Sequence, residues 1–237
     1  MFVLVHSPLV GPYTWSTVAD AFRRRGYGAS MPDLHERFDD QLQYWQQYAN
    51  AAARAVQTEP VEPVTLVAHS GAGSLLPAIR ELMERPVEAY LFVDAGIPVR
   101  GKNWLEQVTA EAPEFAAQVE ARLRAGERSP RWTDEDLKDI LPDDDVRRRL
   151  LAELHPQPLE YFTQVIPVFD GWPDAPCGVL QFSPPYDAAF AHAQQQGWPA
   201  RKLDAGHFHM LVDPEAVAGA MLELLSEMQV AQPQAAM

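Results

Sequence analysis

The chain has 237 residues, 47% of them apolar and 22% charged, which is long enough to bury a substantial core as one domain carrying an insertion. Its 33 acidic against 19 basic residues give a formal charge of −14, which argues against nucleic acid or an anionic membrane as the partner, since both call for a basic face. The single cysteine, Cys177, excludes an internal disulfide and a cysteine metal cluster, and no apolar run approaches the ~20 residues of a membrane span.

Residues 2–6 (FVLVH) read as a short strand buried on both faces rather than as a signal peptide, so a cytoplasmic protein is the default expectation. A loop rich in Pro and Gly comes next, SPLVGPY. Ser16 is then placed to cap a helix running to Arg25, with Gly26 as its stop. A second strand is expected at 27–31, and a long helix at 37–57. VTLVAHS (64–70) reads as the third strand, followed by a helix to Glu84, and VEAYLFVDA (87–95) as the fourth. This strand–helix alternation predicts a parallel sheet with helices on both faces.

Between Pro98 and Pro173 the pattern changes to helices alone. There Asp143, Asp144 and Asp145 precede Arg147, Arg148 and Arg149 by one helical turn, as on a solvated helix face. Alternation resumes with a strand at 177–183, a helix from Pro185 to Gln196, a short strand at 199–203 and a last helix from Pro214 to Met228. The expected organisation is therefore an α/β core from residues 1–97 and 174–229, a helical cap at 98–173, and a disordered tail at 230–237.

The segment V-T-L-V-A-H-S-G-A-G-S lies where a strand ends and a helix begins, the setting of a nucleophile elbow. Small residues must flank such a nucleophile because the turn is sharp. Ala68 and Ala72 stand where G-x-S-x-G has glycines, and Gly71 and Gly73 are small as well. Ser70 is thus the candidate nucleophile. It needs a base, and His207, in a loop after the last strand (DAGHFHM), lies at the same carboxyl edge of the sheet. His209 competes for that role. His69 is expected to pack under the elbow, and His35 and His155 lack supporting context.

On these segments, namely VLVHSPLVGPYTW, Pro32-Asp33-Leu34, AHSGAG, the helical insertion and GHFHMLVDPEAVA, the chain resembles the α/β-hydrolase superfamily over its whole length. It is similar to compact members such as small plant-type esterases and hydroxynitrile lyases. The resemblance implies a mostly parallel, doubly wound sheet with a helical cap inserted between two strands, and a Ser-His-Asp triad. Two aspartates compete for the acid. Asp187 comes after the 177–183 strand, where many members carry it, but it enters a helix almost at once. Asp94 ends the fourth strand four residues before Pro98, the layout seen in haloalkane dehalogenases, and is preferred. The family also implies two oxyanion donors. One is the amide of Gly71; the other falls at Pro8, which has no N–H. Leu9 N–H or the Ser7 hydroxyl is the expected substitute.

The insertion is expected to lie over Ser70 as a lid. Its aromatic residues Trp104, Phe115, Trp132, Tyr161, Phe162, Phe169 and Trp172 suggest a mostly apolar pocket, with Arg100 and Lys102 as cations near the entrance. The expected function is hydrolysis of a small or medium hydrophobic carboxylic ester or lactone through an acyl-enzyme, with no cofactor and no metal. A hydroxynitrile-lyase-like enzyme using the same residues for base catalysis, and a receptor-like binding module, are the alternatives; a homodimer is left open.

Overall fold

The computed structural model describes residues 1–36, 39, 41–57 and 62–231. Six strands form one parallel sheet: β1 (Phe2–Val5), β2 (Ala29–Ser30), β3 (Val64–Ser70), β4 (Val87–Ala95), β5 (Cys177–Gln181) and β6 (Ala200–Lys202), in the order β2-β1-β3-β4-β5-β6. Helices α1 (Tyr13–Arg24), α2 (Tyr44–Ala55) and α3 (Leu76–Leu82) connect the first four strands. Between β4 and β5 lie α4 (Trp104–Glu111), α5 (Pro113–Arg124), α6 (Asp134–Leu137), α7 (Asp144–Ala152) and α8 (Leu159–Thr163). The chain closes with α9 (Asp187–Gln196), α10 (His209–Val212) and α11 (Pro214–Ala231). No described helix is long and apolar enough to cross a membrane.

The strands are apolar on both faces because both are covered. Leu4, Val67, Leu91, Val93 and Leu180 pack with α1, α10 and α11. Val3, Val5, Leu66, Ala68, Tyr90, Phe92 and Val179 pack with α2, α3 and Ala193 of α9. This alternation along each strand produces the doubly wound, α/β-hydrolase-type architecture.

Several local expectations change. Helix α1 begins at Tyr13, so Ser16 is not its N-cap; the Ser16 hydroxyl donates back to Tyr13 O at 2.8 Å. The helix start is capped from a distance instead, by Tyr13 N–H donating to Glu153 Oε2 at 2.9 Å, a negative group where the helix dipole favours one. The helix expected at 37–57 spans Tyr44–Ala55 and starts at a capping box made by Gln43 and Gln46; residues 37, 38 and 40 lie outside the described residues. Arg147 is not on a solvated face: it is 4% exposed, pairs with Asp134 at 2.7 Å and with Asp144, and donates to Leu141 O and Pro142 O. Helix α11 runs on to Ala231, and positions 232–237 of the expected tail lie outside the described residues.

The carboxyl edge of the sheet contains one irregularity. His69 pairs with Val93, but Ser70 pairs with Ala95, so Asp94 is an extra residue in β4 opposite the end of β3. A bulge of this kind re-aims the side chain it displaces.

Candidate active site

Ser70 is the last residue of β3 and holds φ 56° and ψ −126° before a 3-10 turn at Gly71–Leu75. Among the described residues, Ser70 and Asp94 (φ 43°) are the non-glycine residues with positive φ. An L side chain adopts this conformation at a cost, and such strain persists only where surrounding structure enforces it. Here close packing enforces it: Ala68 and Ala72 are fully buried, and a Cβ on Gly73 would stand 1.9 Å from Gly96 O. Ser70 O also accepts from Gly96 N–H at 3.3 Å, which ties the turn to the end of β4.

Asp94, 1% exposed, carries four hydrogen bonds: Oδ1 accepts from the N–H of Phe182 at 2.7 Å and of Ser183 at 2.9 Å, and Oδ2 accepts from Ser183 Oγ at 2.6 Å and His207 Nδ1 at 2.7 Å. With these partners the carboxylate is fully satisfied despite its burial. His207 Nδ1 is thereby the protonated nitrogen, and Nε2 is left to accept a proton. The structure thus brings Asp94 and His207 together. Asp187 lies apart, exposed in the first turn of α9, where Gln181 Nε2 at 2.5 Å and Lys202 hold its carboxyl below the usual range. His69 is buried beneath His207 and donates from Nε2 to His207 O at 3.0 Å. His209 sits in α10 with its ring against Phe182.

Two residues at this edge escape a reading of the sequence. Ser183 supplies two of the bonds to Asp94. Tyr186 places its hydroxyl 3.0 Å from Ser70 Oγ, and its ring lies parallel to that of His207, tilted by 10° with centroids 5.3 Å apart. The only local sign of either is S-P-P-Y, in which two prolines force a turn directly after β5.

Next to Ser70 in the chain, Gly71 faces Ser7, Pro8 and Tyr161: a Cβ there would meet Tyr161 OH at 3.3 Å and Ser7 Oγ at 3.6 Å. Leu9 N–H donates to Ser7 Oγ at 3.3 Å. That bond occupies an acceptor site on Ser7 Oγ and leaves its O–H to donate elsewhere. The segment between α7 and α8 clamps this first loop. Besides Glu153 on Tyr13, His155 N–H donates to Leu9 O at 2.9 Å and Gln157 Nε2 to Pro8 O at 3.3 Å. A pocket beside Gly71 is lined by Trp45, Pro98, Lys102, Trp104, Tyr161 and Ile166 among others. Of the aromatic residues of the insertion, Trp104 and Tyr161 line it, while Phe115 is exposed and Trp132 packs on Phe208. Arg100 is paired with Asp170 at 2.9 Å.

Next to the clamp lies a cluster of histidines. His35 stacks on His155 with centroids 3.6 Å apart, and His6 is 5.9 Å from His35. His6 donates from Nδ1 to Ser7 O and accepts Leu34 N–H at Nε2, so its neutral form is the one bonded. Burial lowers the pKa of both His6 and His35 to about 4. Among the described residues, no group of His, Cys, Asp and Glu is arranged to hold a metal ion.

Comparison with known proteins agrees with this fold. A family model described as "Alpha/beta hydrolase family" matches residues 2–220. Esterase PIR7B of Oryza sativa subsp. japonica is 30% identical over 109 residues; the match covers 43% of this chain and 41% of that protein, less than half of the relative's length. Among solved structures, an extracellular alpha/beta-hydrolase from a Paenibacillus species has a TM-score of 0.75 at 16% identity, covering 94% of this chain and 98% of that one. Polyneuridine aldehyde esterase has a TM-score of 0.71 at 15% identity, covering 94% and 98%. A methylesterase from Arabidopsis has 0.66 at 17%, covering 95% and 98%.

Proposed function

Because the chain belongs to the alpha/beta hydrolase family, we propose that it is a serine hydrolase that cleaves a small or medium hydrophobic carboxylic ester or lactone through Ser70, His207 and Asp94. Ser70 Oγ attacks the carbonyl carbon and its proton passes to His207 Nε2. Asp94 fixes the ring orientation and stabilises the imidazolium. The carbonyl oxygen, now negative, is held by Gly71 N–H and the Ser7 hydroxyl. His207 returns the proton to the leaving oxygen, and water then cleaves the acyl-enzyme by the same steps in reverse roles.

The observation that carries this reading is the fully bonded, buried Asp94 on His207 Nδ1 beside a serine held at φ 56° on a strand-to-turn elbow. The apolar walls of the pocket beside Gly71 support a hydrophobic acyl group. The esterases among its relatives and structural neighbours support the reaction class. Labelling with a fluorophosphonate probe, followed by peptide mapping, tests it. Modification at Ser70 that disappears in Ser70→Ala is expected, whereas folded protein that stays unlabelled removes the hydrolase reading.

One feature favours a second reading, a lyase that uses the same residues as a base. Pro8 supplies no N–H and a hydroxyl, Ser7, stands by Gly71 in its place. Turnover of a cyanohydrin with no acyl-enzyme formed from any ester would favour it.

A further inference from the structure

We propose that Tyr186 is a further catalytic residue of this site, its hydroxyl donating a hydrogen bond to the leaving oxygen in both halves of the reaction and fitting the enzyme to esters of unactivated alcohols. The inference rests on acyl transfer through Ser70.

Three observations place Tyr186 on the leaving-group side. Its hydroxyl is 3.0 Å from Ser70 Oγ, the atom that becomes bonded to the carbonyl carbon. Its ring lies flat beside His207, the group that must deliver a proton to the departing oxygen. The oxyanion donors of the proposed mechanism, by contrast, are a separate pair, Gly71 and the Ser7 hydroxyl that it faces. The residue is held firmly. It ends a 3-10 turn, Pro184–Tyr186, whose prolines restrict φ, and the N–H groups of Phe182 and Ser183 just before it are pinned to Asp94. Burial pushes the phenol up, so it remains a donor at neutral pH.

In acylation, the bond from Ser70 Oγ to the carbonyl carbon forms as the serine proton moves to His207 Nε2. When the tetrahedral intermediate collapses, the carbon–oxygen bond to the alcohol breaks and its electron pair stays on the leaving oxygen. That oxygen shares its carbon with Ser70 Oγ, within reach of Tyr186, and takes the proton from His207. In deacylation, water attacks, its proton goes to His207, and Ser70 Oγ is itself the leaving oxygen. The bond seen in the resting structure is the contact that stabilises it then. Tyr186 keeps its own proton throughout. An alkoxide needs such a donor far more than a nitrophenolate does, because it develops more charge on oxygen.

Tyr186→Phe removes the hydroxyl and keeps the ring. With p-nitrophenyl, trifluoroethyl and ethyl butyrate, the expected loss in kcat/KM grows along the series, from a few-fold to about a hundredfold, the range of one hydrogen bond to a charged group. The variant also accumulates labelled acyl-enzyme with the p-nitrophenyl ester, since deacylation is slowed. A loss equal for all three esters, or none, overturns the proposal while leaving the acyl-transfer reading intact. Wild-type protein that forms no acyl-enzyme at Ser70 overturns that reading and this proposal with it.

Discussion

Replacing Asp94 by Asn separates the chemistry of the site from its stability. Oδ1 accepts two backbone N–H groups, from Phe182 and Ser183, so in Asp94→Asn the amide oxygen must keep that place. The amide nitrogen then replaces Oδ2 and faces Ser183 Oγ and His207 Nδ1. Ser183 can turn its hydroxyl to accept. His207 can accept only by moving its proton to Nε2, the nitrogen that acts as base in the proposed mechanism. Every buried hydrogen bond is thus re-formed around the wrong tautomer. The comparable change in a well-studied triad costs ~10⁴ in kcat, which corresponds to about 5.4 kcal/mol of transition-state stabilisation. The assay is steady-state hydrolysis of p-nitrophenyl butyrate beside a thermal melt. Asp94→Asn should lose about four orders of magnitude in kcat with its melting temperature little changed. Asp187→Asn, exposed and apart from His207, should retain wild-type turnover. The reverse pattern, with Asp187→Asn crippled and Asp94→Asn active, would refute the assignment.

Two further outcomes concern buried groups. His6 and His35 have folded-state pKa values lowered to about 4 from 6.5, so the unfolded chain binds their protons first. The stability these neutral rings contribute is complete above pH 6.5 and is lost as pH falls toward 4; at pH 5, His6 alone accounts for about 2 kcal/mol. Urea unfolding at pH 7.5 and 5.0 should show a clear drop in midpoint, and an unchanged midpoint would falsify the account. Carboxylates held low by partners, such as Asp187, act only in a more acid window. Separately, Gly73→Ala should destabilise severely, because its new methyl would stand 1.9 Å from the backbone oxygen of Gly96; soluble expression and a melt within a few degrees of wild type would contradict this.

The bounds of β3 and β4 can be read from the sequence because each is a mostly apolar run closed by turn residues, and they match at 64–70 and 87–95. The doubly wound layout is legible in the same runs. Ser70 and His207 are legible because each is announced by small neighbours in a short segment. Asp94 is legible only through its spacing from Pro98, since the bulge that aims it depends on pairing with β3. Ser183 and Tyr186 are not legible, because their contacts arise where the loop after β5 meets the ends of β4 and β3: Ser183 reaches Asp94 from 89 positions away and Tyr186 reaches Ser70 from 116. The start of α1 is hidden for a similar reason: its cap, Glu153, lies 140 positions away. Arg147 reads as a surface cation, yet its carbonyl and carboxylate partners let it be buried.

The three contacts from Glu153, His155 and Gln157 to the first loop bear on how this protein could be re-engineered. The helices between β4 and β5 cannot be treated as an interchangeable cassette. A relative's segment spliced in their place would have to bring its own acceptor for Tyr13 N–H and its own donors for Pro8 O and Leu9 O. Without them, the loop that places Ser7 against Gly71 would lose its anchorage, and a transplant meant to alter the pocket would also loosen the surroundings of Ser70. Recombination breakpoints that keep residues 153–157 native avoid that coupling.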